Sequence, residues 1–142
     1  MKLNPYLNFN GNAEEAMTFY KKVFGVDFAG NGMMKMGDLP DADKIPAELH
    51  DRVMHVSLPL GDEFLMASDT MPGMGFAYQQ GNNSYICISP DTKDEADRLF
   101  QELSEGGKVE MPMSQEFYGY FGSFTDRFGT PWMIHFEENS TF

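Results

Sequence analysis

Two histidines and a carboxylate head the short roster of side chains able to do chemistry in this chain. His55 lies in Arg52-Val53-Met54-His55-Val56-Ser57, where two-residue alternation puts Val53, His55 and Ser57 on one strand face. An imidazole near its ordinary pKa exchanges protons close to neutrality, so His55 reads as a hydrogen-bonded structural residue, a general base or a ligand to a bound group. His135 and Glu137 share parity with Met133, opposite Trp132, Ile134 and Phe136, which read as the core side. A histidine and a carboxylate two apart can touch one ligand or simply line a solvated strand face, and two such groups do not make a secure metal centre. His55, His135 and Glu137 are therefore the catalytic candidates. Tyr6 and Asn8 share one face of an opening strand, with Leu7 and Phe9 on the other; the polar pair suits ligand contact or ordinary edge hydrogen bonding. Phe117, Tyr118, Tyr120 and Phe121, broken by Gly119, are denser than a sheet edge needs and suit a wall over an apolar ligand or a dimer contact.

Bulk composition narrows the partners. Asp and Glu number 22 against 10 Lys and Arg, a formal net charge of -12, which repels a phosphate backbone, and no basic patch is visible. Nucleic acid is not expected as a partner. Cys87 is the single cysteine, so no intrachain disulfide or four-cysteine zinc cluster forms, and its setting in Ser84-Tyr85-Ile86-Cys87-Ile88 reads as buried and inert. No window approaches the roughly 20 apolar residues that span a bilayer, and no signal-peptide pattern opens the chain, so the expectation is a cytoplasmic protein without membrane contact. Phosphate-loop, dinucleotide, His-Glu-x-x-His and serine-elbow motifs are missing, and no cofactor is expected.

The elements that must position these residues follow from the periodicity. After the strand at 5–10 the period changes: Ala16, Phe19, Tyr20 and Val23 recur at helical spacing, with Glu14 and Glu15 in the first turn, Lys21 and Lys22 in the last, Asn12 as cap and Gly25 as stop. The Phe19 face should pack on a sheet. One strand or a bent pair is expected within 26–36, then a Pro-rich, acidic excursion over 37–48, a strand at 52–60, the Gly61-Asp62 hairpin and a strand at 63–68. A Gly- and Met-rich linker follows, and the order repeats: strand 84–88, helix 92–105 stopped by Gly106-Gly107, and strands at 108–113, 119–126 and 131–138. Halves of this size are marginal alone, so two would share one core. The division is one domain over 1–142, with a first module at 1–69, a linker at 70–82 and a second module at 83–142.

Asn8-Phe9-Asn10-Gly11-Asn12-Ala13-Glu14-Glu15-Ala16 with Phe19-Tyr20 and Val23-Phe24-Gly25 resembles the opening module of the vicinal oxygen chelate superfamily, which includes glyoxalases, bleomycin-resistance proteins and extradiol dioxygenases. Arg52-Val53-Met54-His55-Val56, Met66-Ala67-Ser68-Asp69 and the closing Thr125-Asp126-Arg127-Phe128-Gly129-Thr130-Pro131-Trp132 resemble its PhnB-like branch. The resemblance implies an α+β fold of two βαβββ modules forming a half-open barrel around a shared cleft, and a homodimer. In metal-carrying members it implies four His, Gln or Glu ligands from the first and last strands of both modules, holding a divalent ion that substrate oxygens chelate. Here those places correspond to Tyr6, or Pro5 if the register slips by one, to Met66 or Ser68, to Asn83 or Ser84, and to Met133, where the family ending has a Glu. Methionine is a weak ligand for such an ion, so the usual four-ligand metal centre is not expected, and the only alternative is an unusual site using His55, His135 and Glu137. In that register Met133, His135 and Glu137 face the cleft, and Tyr6, Asn8, Ser68, Phe117, Tyr118, Tyr120 and Met133 form the ligand-binding set.

Three functions are compatible with this reading. The first is a metal-independent protein that binds a small, largely apolar molecule. The second is a lyase, isomerase or dioxygenase using His55, His135 or Glu137, and the third is a dimeric interaction protein with a vestigial cleft. PhnB-like members carry methyltransferase or phosphonate-related labels, yet the sequence has neither a methyl-donor loop nor a concentrated basic site.

Overall fold

The computed structural model describes residues 1–138. The chain divides into two compact units, Met1–Gln79 and Gln80–Phe142. Each runs strand, helix, three strands, the α+β order expected from the periodicity.

In the first unit β1 (Tyr6–Phe9), β2 (Met34–Lys35), β3 (Val53–Leu60) and β4 (Glu63–Asp69) make an open mixed sheet in the order β1-β4-β3-β2. The β1–β4 pair is parallel and the others are antiparallel. Helix α1 (Ala13–Phe24) covers one face with Ala13, Ala16, Met17, Tyr20 and Val23. The buried stripe thus centres on Met17 and Tyr20, while Phe19 is half-buried at its edge. Burying side chains of that size contributes about 1.5–3 kcal/mol each before entropy is counted. Phe9, Val56, Leu58, Leu65 and Ala67 answer from the sheet.

Both ends of α1 refine the sequence reading. Gly25 stops the helix in the left-handed region at φ 66°, its N–H donating to Lys21 O at 2.9 Å. Asn12, expected as the cap, makes no capping side-chain hydrogen bond. Asp69, arriving from β4, instead accepts from Gly11 N at 2.9 Å and Ala13 N at 3.0 Å, while its other oxygen accepts from Val53 N at 2.8 Å. One buried carboxylate therefore ties α1, β3 and β4 together.

The expected strand within 26–36 shrinks to the two residues of β2, because the chain turns at Gly30 and Gly32, both at positive φ. Residues 36–49 form three short 3-10 turns with no buried side chain.

In the second unit β5 (Ile86–Ile88), β6 (Lys108–Glu116), β7 (Gly119–Thr125) and β8 (Pro131–Phe136) stand in the order β5-β8-β7-β6, with β5–β8 parallel. Helix α2 (Lys93–Ser104) begins at Thr92, whose side chain accepts from Glu95 N at 3.1 Å. It buries Ala96, Leu99 and Leu103 and sets Phe100 edge-on to Phe124. A second buried aspartate organises this unit: Asp126 accepts from Phe128 N, Thr130 N and the Trp132 indole at 2.8–2.9 Å. No helix among the described residues is long and apolar enough to cross a membrane.

Candidate functional site

Strand alternation leaves each sheet with a face turned away from its helix, and the candidate residues distribute over these two faces. On the first unit's sheet, Leu7 and Phe9 turn toward α1, so Tyr6 and Asn8 turn outward and are exposed. Parallel register places Tyr6 beside Met66 and Asn8 beside Ser68, and antiparallel register places Ser57 on the other side of Met66. His55 lies on the same side, half-buried. Its Nδ1 is 3.2 Å from the Tyr6 hydroxyl, with ring centroids 5.8 Å apart. Tyr6, Asn8, Ser57, Met66 and Ser68 bear no charge, so hydrogen-bonding groups are set here among thioether and aromatic surface.

Val53 does not share this face. The β2–β3 register shifts between Met34 and Lys35, and Val53 is fully buried while His55 and Ser57 are not. A bulge of this kind reverses the side-chain sense on one side of it, which simple alternation cannot anticipate.

On the second unit's sheet the outward row runs Cys87, Met133, Ser123. Cys87 is exposed, correcting the buried setting expected of it, because the residues turned toward α2 on this short edge strand are Ile86 and Ile88. Desolvation by its neighbours nevertheless raises the thiol pKa, which holds it in the less reactive protonated form.

His135 is next along the same strand, and it is sealed at 4% exposure. Its Nε2 lies 2.7 Å from Tyr118 O, so Nε2 carries the proton and donates; Tyr118 stacks at 6.3 Å and Phe121 lies at 6.5 Å. Gly119 makes this closeness possible, for at φ 129° a Cβ there would stand 2.6 Å from Nε2. Glu137 falls just beyond β8 and is exposed. His135 and Glu137 do meet at one feature, a pocket of about 270 Å³ also lined by Ser89, Asp91, Phe136 and Glu138.

The aromatic run divides. Phe117 is 98% exposed at the β6–β7 turn and meets Tyr118 edge-on. Tyr120 turns to the helix side, where its hydroxyl donates to Asp97 Oδ1 at 2.5 Å and its ring lies under Lys93 Nζ. It therefore stands on the opposite face of the sheet from Met133 and His135 and adds nothing to a wall beside them. Trp132 is core, as expected.

His50 was not singled out by sequence reasoning. Its Nε2 donates to both Ala42 O and Ile45 O at 2.9 Å, and Gly37 N donates to His50 O, so it staples the 36–50 excursion. The available signal was a histidine closing a Pro-rich loop immediately before a strand.

The donor set does not fit the divalent ion of metal-carrying superfamily members. Tyr6 has Met66 and the single imidazole of His55 beside it, and Met133 has Cys87 and Ser123 beside it, where such an ion needs several imidazole or carboxylate ligands together. Among the described residues no three of His, Cys, Asp and Glu gather as a metal site.

Over residues 1–135 the sequence matches the family described as 3-demethylubiquinone-9 3-methyltransferase. Protein PA1353 from Pseudomonas aeruginosa is 40% identical, with a TM-score of 0.85 over 96% of this chain and 98% of that one. A putative 3-demethylubiquinone-9 3-methyltransferase, PhnB protein, from Bacillus cereus is 23% identical, with a TM-score of 0.75 over 96% and 100% of the two chains. A mutant of the fosfomycin resistance protein FosX from Listeria monocytogenes, in complex with Mn(II) and dihydroxypropylphosphonic acid, shares the fold alone. It is 10% identical, with a TM-score of 0.62 over 99% of this chain and 94% of that one.

Proposed function

The chain belongs to the 3-demethylubiquinone-9 3-methyltransferase family, in the PhnB-like branch of the vicinal oxygen chelate superfamily, and from that premise we propose a small-molecule binding protein that works without the superfamily's divalent ion. The observation that carries the reading is the Tyr6–His55 contact on the outward face of the first sheet. A phenol and an imidazole meet there in partly exposed positions beside Met66, Ser57 and Ser68. Ligand sites are built this way, from apolar surface with a few placed polar groups that fix orientation. Metal independence is supported by the thioether, thiol and hydroxyl chemistry at the places where ligands would stand.

Elemental analysis after mild purification, run beside ligand-binding and product assays, tests the proposal. The expected result is reversible uptake without turnover and without stoichiometric metal. Stoichiometric metal together with product formation overturns it.

The same contact also favours a second reading, an enzyme in which His55 moves a proton, because the ring is hydrogen-bonded and reachable. Under that reading His55→Ala lowers turnover by orders of magnitude while leaving the unfolding midpoint nearly unchanged.

A further inference from the structure

We infer that Tyr6 fixes His55 as the Nε2–H tautomer, and that the first sheet's outward face accordingly takes a neutral carbonyl compound through its oxygen. The inference rests on the binding reading above and names the ligand class for that site.

The argument begins with the hydrogen bond. Either the phenol donates to Nδ1 or Nδ1–H donates to the phenol oxygen, and only 3.2 Å separates the two atoms. A phenol is the stronger acid of the pair, with a usual pKa near ~10, and an imidazole nitrogen is the stronger base. The phenol therefore donates, Nδ1 accepts, and the proton of the neutral ring resides on Nε2. Nε2 then presents a donor, and an incoming ligand must bring an acceptor.

The neighbours decide what kind of acceptor. Asn8 and Ser68 face each other across β1 and β4, and Ser57 stands beside Met66, so the groups near the imidazole are amide, hydroxyl and thioether. None of them supplies the positive charge that a carboxylate or phosphate would need on leaving water, and the guanidinium of Arg52, at the Asn10 end of the sheet, already donates to Asn10 Oδ1 at 3.3 Å and Thr70 O at 2.7 Å. The whole chain, at a net charge of -12, opposes an anion further. A neutral oxygen on an apolar body meets both conditions. Tyr6 is a positioning residue in this arrangement, acting through the ring it orients.

The experiment uses the intact chain in two measurements. Long-range proton–nitrogen correlation at a pH about 1.5 units above the ordinary histidine pKa reads the tautomer directly. His55 should give the Nε2–H pattern, and Tyr6→Phe should give a mixture. An Nδ1–H pattern in the parent chain overturns the inference. The second measurement titrates acetophenone, benzoate and ethylbenzene while following the amides of His55 and Ser68. Acetophenone should bind, ethylbenzene and benzoate should each be weaker by about 3–10-fold, and Tyr6→Phe should weaken acetophenone by a similar factor. Benzoate or ethylbenzene binding as well as acetophenone overturns the ligand class and leaves the binding reading standing. Failure of all three probes to perturb either amide overturns the binding reading and this inference with it.

Discussion

His55 and His135 both stand on inner strands of four-stranded sheets, both on the face away from the helix, and their surroundings could hardly differ more. His55 reaches toward the exposed Tyr6 on an edge strand, and its ring is half-open to water. His135 is closed over by the β6–β7 turn, its proton given to a backbone carbonyl and its ring stacked on Tyr118. Residue type and parity are the same, so neither decides availability. What decides is the strand or turn that arrives beside the histidine, and that comes from distant sequence.

The largest expected effect tests whether the two units share one structural device. Asp69 and Asp126 each accept three hydrogen bonds, all from buried donors except the part-buried Gly11 N, so replacing either with Ala strands the buried ones at about 1–3 kcal/mol apiece, non-additively. Each variant should lose about 3 kcal/mol or more in denaturant unfolding. If Asp126→Ala is costly and Asp69→Ala is not, the units are not held alike.

The histidines should then separate. His135→Ala opens a cavity and leaves Tyr118 O unpaired, for a loss of about 2–4 kcal/mol, while His55→Ala should stay within about 0.5 kcal/mol. Equal losses would break the contrast between a sealed ring and an open one. Gly119→Ala sharpens it further, because the added carbon stands 2.6 Å from Nε2 at a φ that side chains avoid. About 1–3 kcal/mol should be lost, with the His135 ring resonances displaced and those of His55 unmoved.

These particulars also show how far the sequence alone reaches. Local signals were legible: the helical stripe around Tyr20, Gly25 as a stop, Thr92 opening the second helix, and the βαβββ order repeated. Trp132 and Ile134 fall in the core as two-residue alternation predicts, whereas His135, on the opposite face of β8, is buried too. Non-local features were not legible. Asp69 caps α1 from 56 positions away, which no local window contains. The Val53 and His55 faces part at a register shift set by the pairing with β2, and Cys87 is exposed because the β5 residues turned toward α2 are the two that flank it. Tyr6 and His55 are 49 residues apart, each a candidate by its own strand parity, yet nothing in their spacing says that they touch.

The smallest expected effect concerns the phenol on the other side of the second sheet. Tyr120 donates to Asp97, and that hydrogen bond, with smaller contributions from partial burial and the carboxylate charge, raises its pKa above the ordinary tyrosine value. The protonated phenol is the form that the folded chain favours. Its contribution to stability is fully present below the unfolded pKa, near ~10, and is lost as pH rises through the higher folded value. Tyr120→Phe lacks this contribution at every pH. The stability gap between the parent chain and the variant should therefore be flat through neutral and mildly alkaline conditions and should narrow above about pH 10. Denaturant midpoints for both chains across that range measure it. A gap that stays constant into strong alkali would mean that Tyr120 does not hold α2 through its proton, and would leave the apolar contacts of Ala96, Leu99, Phe100 and Leu103 to anchor that helix on the sheet.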